Sequence, residues 1–330
     1  YASLLMMGIS TSIIGILPPA ASAGVGVVIV LQLMRLAQCF GRGGTWGGGI
    51  LMAYENVPEN KRSFYAAIPQ IGLPIGFGLS SILIAVPTLL LPEDIFFTWG
   101  WRIPFLAAII LTLIVIRQKG EMMETEDYKK AQAKLEAEEA EGKKHKVGFI
   151  PMVKGYWKTL LLGCGTRWVD GTFYNIFIVW ILSYCINWLG MPLIQTYIIT
   201  IIACIFKIPF TLFGGWCAQK LGNTRTFVIG ALASAVLSIP TLKVIELSKG
   251  NLAITIIGIV LGWSIAYNLI WAVISSLWSS YFETEVRYSG ISFVYHVPSF
   301  LVAGMVPTIC TLLINYGKGD TIYVGIYSTV

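Results

Sequence analysis

The sequence predicts an all-α membrane protein, a set of hydrophobic helices crossing a bilayer, and three observations predict it. Of the 330 residues, 56% are hydrophobic and only 12% charged, with a mean hydropathy of +0.73. A soluble domain carries about 25% charged residues, so most of this surface faces lipid and a large soluble enzyme is excluded. The apolar residues also gather into runs of the roughly 20 residues that a hydrocarbon core of about 30 Å requires of a helix. Finally, Lys and Arg collect in every second connection between runs, as they do on the cytoplasmic side of membrane proteins.

Taken in order, the runs lie at 2–17, 26–54, 64–90, 99–116, 157–188, 193–216, 226–244, 252–280 and 290–315, and a further one begins near 321. The first opens at Tyr1 with no basic n-region and no cleavage site, so no signal peptide is expected. Both ends read as cut from a longer chain. The second run carries the glycine cluster Gly41-Arg42-Gly43-Gly44-Thr45-Trp46-Gly47-Gly48-Gly49. A phosphate loop needs a preceding strand; here the cluster lies mid-span, and Gly43/Gly47 and Gly44/Gly48 read as small-xxx-small pairs for close helix packing. Gly72 and Gly76 repeat that spacing in the third run.

Between the fourth and fifth runs, 117–156 is the one soluble-looking stretch, dense in Glu, Lys and Ala from Glu121 to Lys146. This composition favours a helix with i,i+4 ion pairs; we read 118–156 as a cytoplasmic linker, with His145 solvated inside it. It joins an N-terminal bundle, 1–117, to a C-terminal bundle, 157–330. The turn Pro58 to Tyr65 and the turn Glu283 to Gly290 form a weak repeat, each an acidic-then-basic connection opening a helix. Parallel repeats of this kind are one transporter plan.

Orientation follows from the connections. Those at 59–62, 117–156, 220–225 and 283–287 hold most of the 23 Lys and Arg, whereas the alternate set holds only Arg102, Lys243, Lys249 and Lys318. The first set is therefore expected inside. Cys39, Cys164, Cys185, Cys204, Cys217 and Cys310 all lie in apolar stretches without CxxC spacing, and we expect free thiols, no metal and no cofactor.

Charge within a span costs at least about 2.5–3.5 kcal/mol per group and so marks function. The residues concerned are Arg35, Arg42, Glu55, Arg167, Asp170 and Lys207. Arg35 and Arg42 are two turns apart on one helix face. Arg167 and Asp170, three apart, can pair within a helix, either as a structural ion pair or as part of a pathway. Asp170 is the carboxylate deepest in a span; Lys207 is its potential partner or a packing residue; Glu55, near a span end, reads as an anchor. His296 can switch protonation near neutral pH, although a satisfied interior histidine is the blander reading. Gln70, Tyr174, Asn175, Tyr267 and Asn268 are polar groups within spans that could line a cavity.

Several strings resemble the metabolite:proton symporter branch of the major facilitator superfamily, and the shikimate-transporter-like members in particular. They are Arg35 to Gly48, Pro58 to Tyr65, the Trp-Gly-Trp-Arg-Ile-Pro-Phe of 99–105, Gly215 with Gln219-Lys220-Leu221-Gly222-Asn223-Thr224-Arg225, and Val286 to Gly290. The resemblance implies the major facilitator fold of two six-helix halves, of which this chain would hold helices 3–11 and the start of 12. Arg62, Gly215, Gln219, Lys220, Gly222, Arg225 and Arg287 would then be gating loops, and Arg167-x-x-Asp170 matches an Arg-x-x-acid arrangement of shikimate-like members. The chain departs from the family's pattern at Arg42 (usually small and apolar), Thr45 (usually acidic), Gln219-Lys220 (usually Asp-Arg) and Ser280 (usually acidic).

The expectation is a proton-coupled symporter of a small polar metabolite, an organic acid, working by alternating access. Arg35 and Arg42 would be anion contacts and Asp170 the proton carrier. It would be a monomer in the cell inner membrane, without nucleic-acid partners and without enzymatic activity. The alternatives are a transporter-fold receptor or sensor, or an uncoupled facilitator.

Overall fold

A computed structural model describes residues 2–19, 23–117 and 149–329, and they are helical with no strand among them. The helices are α1 (Ala2–Ile16), α2 (Val25–Glu55), α3 (Arg62–Ala67), α4 (Gly72–Leu90), α5 (Glu93–Thr98), α6 (Ile103–Arg117) and α7 (Phe149–Tyr174). There follow α8 (Ile181–Asn187), α9 (Leu193–Leu221), α10 (Asn223–Leu247), α11 (Leu252–Ile259), α12 (Asn268–Ser279), α13 (Thr284–Tyr316) and α14 (Ile322–Thr329). Among the described residues seven helical stretches are long and apolar enough to cross a membrane, and Ala2–Ile16 and Gly100–Ile114 are shorter apolar helices.

The boundaries follow local chemistry. Pro192 precedes α9, and Gly222 at φ 90° breaks the chain between α9 and α10, a conformation that costs an L side chain energy. Asn251 caps α11, its side chain accepting from the amides of Ala253 (3.1 Å) and Ile254 (3.3 Å).

Three features differ from the sequence expectation. The third run is divided, with a 3-10 turn at Pro69–Ile71 between α3 and α4, where Pro69 removes an amide donor. Residues 149–156, expected in the linker, are helical and continuous with α7 through a kink at Tyr156; positions 118–148, with His145, lie outside the described residues. Two spans contain π-helical turns, Asn175–Trp180 after α7 and Val260–Ala266 after α11. Such turns insert a residue into the hydrogen-bond ladder and concentrate at functional sites.

The chain divides into two compact units, residues 1–49 with 80–124 and residues 50–79 with 125–330. In the first, α1 lies against α6 so closely that a Cβ on Gly15 would sit 2.8 Å from the Phe105 side chain, and Gly41 of α2 meets Met7 at 2.6 Å. In the second, Gly214 and Gly230 meet α12, Gly258 meets Ile245, and Gly163 and Gly171 meet Val294 and Val302 of α13. Small residues admit this approach where lipid gives no hydrophobic drive to helix association. At Gly48, Gly72 and Gly76 a Cβ would meet no atom within 4 Å among the described residues.

Candidate functional site

The second unit holds a buried polar cluster between α7, α9, α12, α13 and the π turn Val260–Ala266. Asp170 and Lys207 are fully buried and Arg167 is 8% exposed. An unanswered charge there would be costly, and the partners show how it is met. One Asp170 oxygen accepts from Arg167 Nη1, one turn away on α7, and the other accepts from Tyr267 Oη at 2.6 Å. Arg167 Nε donates to Ser299 Oγ at 2.9 Å, and its guanidinium lies 4.2 Å from the centre of the Tyr295 ring. Arg167, Asp170, Tyr267 and Ser299 thus form one continuous network.

Lys207 sits beside this network but outside its hydrogen bonds. Its Nζ lies 4.5 Å from the centre of the Trp263 ring and 4.4 Å from that of Tyr267, an aromatic cage of the kind that attracts cations. It donates to the Trp263 carbonyl at 3.4 Å. Among the described residues no carboxylate oxygen comes within ion-pair distance of it, although Asp170 is within electrostatic reach. Asn268 and Thr211 hold the Lys207 backbone carbonyl at 2.8 and 2.9 Å and bond each other at 3.1 Å. The π turn explains the register: Tyr267 N–H reaches back to Gly262 O at 3.1 Å, an i→i−5 bond, which places Trp263 and Tyr267 on the Lys207 side. Gly262 admits the Phe177 ring from the other π turn, at 2.4 Å from where a Cβ would be.

A second constellation lies around 54–67, 215–225 and 282–287 of the same unit. Arg287 Nη1 pairs with Glu55 at 2.7 Å and its Nε donates to Phe282 O at 3.1 Å. The guanidiniums of Arg62 and Arg287 lie 5.3 and 5.7 Å from the Tyr54 ring centre. Gln219 donates to Asn60 O and accepts from Phe64 N–H at 3.3 Å, while Gly215 lets α9 approach Ala67, 2.7 Å from a Cβ placed there. Lys220 and Arg225 are exposed.

The sequence-predicted residues therefore separate. Arg167, Asp170 and Lys207 come together. Gln70 instead forms a reciprocal clasp with Trp271, donating to its carbonyl and accepting its indole N–H, each at 3.1 Å. Tyr174, half-buried, packs edge-on to Phe77 with ring centres 6.2 Å apart, and half-buried His296 lies edge-on to Tyr295 at 4.9 Å. Arg35 and Arg42 belong to α2 in the first unit and are exposed; Arg35 Nη1 donates to Gln38 at 3.3 Å, and Gln38 donates to Thr11 at 2.7 Å. Sequence reasoning missed Trp263, Tyr295 and Ser299. The available signal was the i,i+4 spacing of Trp263 and Tyr267 and of Tyr295 and Ser299, which an apolar background hides. Among the described residues no group of three or more His, Cys, Asp or Glu could hold a metal ion.

With this geometry in place, the chain can be set beside known proteins. A family model described as Major Facilitator Superfamily matches residues 2–307. The inner membrane metabolite transport protein YhjE of Escherichia coli (strain K12) is 32% identical, over 99% of this chain and 72% of that protein. The shikimate transporter of the same strain is 29% identical over 98% of this chain and 72% of its own length, and its proline/betaine transporter is 28% identical over 95% and 62%. Among solved structures, the proton:xylose symporter XylE bound to 6-bromo-6-deoxy-D-glucose superposes with a TM-score of 0.72 at 17% identity, over 99% of this chain and 78% of that one. A crystal structure of a D-xylose-proton symporter gives a TM-score of 0.70 at 16% identity, over 99% and 79%. At such identities the structures speak for the fold.

Proposed function

The chain belongs to the Major Facilitator Superfamily as a multi-pass membrane transporter of metabolites, and from that premise we propose that it is a proton-coupled symporter of a small organic acid working by alternating access. The observation that carries this reading is the buried Arg167–Asp170–Tyr267 network with Lys207 beside it. Ionisable groups at membrane depth mark substrate and proton pathways, and two cations against one carboxylate favour an anionic substrate. The excess of Lys and Arg in alternate connections supports placing the connection between α6 and α7 on the cytoplasmic side, and an inner-membrane location. Arg35 and Arg42, with exposed side chains on α2, are further anion contacts in this reading.

The Glu55–Arg287 pair and the Gln219 bonds to Asn60 and Phe64 are the gate. They tie 54–67 to α9 and α13, so opening that end requires breaking them, and the turn Glu283 to Gly290 supplies the arginine of the pair. A monomer suffices for this mechanism, since every group it uses lies on one chain.

An uncoupled facilitator is the second reading. It is favoured by the completeness of Asp170's bonding, because both carboxylate oxygens are already answered by Arg167 and Tyr267. Uptake by proteoliposomes separates the two. Labelled shikimate, the cargo named for one relative, with quinate, benzoate and lactate as further monocarboxylates, should accumulate above the outside concentration only under an imposed inward proton gradient. Equilibration without accumulation would establish the facilitator, and saturable binding without uptake a receptor.

A further inference from the structure

We infer that Lys207, rather than Asp170, carries the mobile proton, and that the group it takes with that proton is the carboxylate of a monoanionic substrate. This rests on the organic-acid symporter reading and assigns the residues within it.

The argument is one of charge and of donors without acceptors. Both Asp170 oxygens are engaged, one by Arg167 and one by Tyr267 at 2.6 Å, and Arg167 has Ser299 and the Tyr295 ring for the rest of its guanidinium. That ion pair is neutral as a unit. Charge-assisted hydrogen bonds of this kind are the strong ones, and removing the proton balance from either member strands the other. Lys207 is placed differently. An ammonium has three donors, yet Lys207 has one long bond to Trp263 O at 3.4 Å and two ring faces. The groups that face it are Asp170, paired to Arg167 on α7, Trp263 and Tyr267 from the π turn and its cap, and Cys204 on its own helix. None presents a free negative oxygen at bonding distance. The Trp263 ring that Lys207 faces has its own indole N–H fully buried and, among the described residues, without a hydrogen-bond partner. Unmet donors at membrane depth are costly; the indole has no acceptor among the described residues and the amine has only the distant Trp263 carbonyl.

With Arg167 and Lys207 charged against Asp170, the empty cluster carries one positive charge too many. It reaches neutrality in two ways: Lys207 gives up a proton, or a monoanion binds. Alternation between them is symport. In the empty site Lys207 is a neutral amine. When the site opens to the outside, a proton from water converts the amine to an ammonium and a carboxylate pairs with it. The neutral pair crosses, the carboxylate leaves on the other side, and the proton returns to water there. One proton and one negative charge move together, so transport is electroneutral, and a dicarboxylate would leave a net charge behind.

The test uses the whole purified protein and whichever of shikimate, quinate, benzoate or lactate the uptake assay selects. Binding is measured in a weakly buffered solution with a pH indicator. Wild type should take up close to one proton per carboxylate bound. Lys207→Gln should take up none and bind at least about tenfold more weakly. Lys207→Arg, permanently charged, should bind without proton uptake, with an affinity flat from about pH 6 to 9, and should not accumulate substrate in proteoliposomes. Proton uptake that persists in Lys207→Gln, or wild-type accumulation by Lys207→Arg, would overturn the assignment. If Lys207→Arg fails to run as a single species on gel filtration, the Lys207→Gln result decides alone. If wild type accumulates none of the four acids, the organic-acid reading fails first, and this inference with it.

Discussion

Helices α2 and α9 look alike as sequence and differ as structure. Each is long and apolar, 31 and 29 residues, with glycines in its second half and basic residues within it. In α9 Lys207 is fully buried in an aromatic cage and Gly214 and Gly215 are closed over by Ala272 and Ala67. In α2 Arg35 and Arg42 are exposed, and a Cβ on Gly48 or Gly49 would meet no atom within 4 Å among the described residues. The difference teaches that apolarity does not identify the inner face of a membrane helix, because lipid tails and protein core are equally apolar. What identifies it is the polar residue buried together with its partner. Thr211, one turn from Lys207, bonds Asn268, and Ser264 donates to Ala203 O at 2.8 Å.

The largest effect that could break this comparison is at the ion pair behind α9. Asp170→Asn leaves the Arg167 guanidinium, 8% exposed, without its countercharge. Stranding a buried charge costs about 3–5 kcal/mol, and unfolding of the purified protein in detergent should show it. The double variant Arg167→Gln with Asp170→Asn should recover most of that loss. Arg35→Gln on α2, whose exposed side chain bonds Gln38, should stay within about 0.5 kcal/mol. Equal costs for Asp170→Asn and Arg35→Gln would erase the distinction between the helices.

The glycines give a smaller and sharper version. A Cβ on Gly215 would lie 2.7 Å from the Ala67 Cβ and 3.4 Å from Phe64 O, so either helix must shift. Gly215→Val should therefore cost about 1–3 kcal/mol through overpacking. At Gly48 there is room, and Gly48→Ala should stabilise by about 0.5–1 kcal/mol through helix propensity alone. A thermal-unfolding series across both positions reads the two signs directly, and a destabilising Gly48→Ala would show that α2 is covered at that point.

Much of the fold was legible because span length is set by the bilayer, which reads the sequence one run at a time. The Arg167–Asp170 pair was legible for a related reason: both partners lie on one helix, three residues apart. The rest was not. Tyr267 reaches Asp170 across 97 positions, and only the extra residue of the π turn sets its register. The aromatic cage of Lys207 was hidden because tryptophan and tyrosine in an apolar run look like lipid-facing residues. The glycine pairs failed as predictors at Gly48, Gly72 and Gly76 because spacing says two small residues share a face, not that a helix lies opposite.

The smallest expected effect concerns charge at the rim, where the second unit treats it as α2 does. Asp320, between α13 and α14, accepts from Lys243 Nζ at 2.7 Å and from Ile322 N–H at 2.8 Å. Lys243 also bonds both oxygens of Glu246 at 3.0 Å, and Glu246 holds Thr321 through its N–H at 2.8 Å and its hydroxyl at 2.7 Å. The bond from Lys243, with that from the Ile322 amide, holds the Asp320 carboxyl below the usual carboxylate range. A group whose folded value is depressed adds stability that is fully present above its unfolded value, about 3.9 for Asp, and lost as pH falls through the lower folded value. The contribution is small, because the Asp320 side chain is 42% exposed and water and salt screen the pair. Acidification from about pH 5 to 3 should thus lower the Tm of wild type slightly more than that of Asp320→Asn, since every other carboxylate titrates in both. Added salt should shrink the difference. Buried Asp170 has no such exposure, so the Asp170→Asn deficit should be nearly independent of salt. Parallel acid slopes for wild type and Asp320→Asn would mean the rim clamp contributes nothing, and a salt-sensitive Asp170→Asn deficit would place that carboxylate in contact with water.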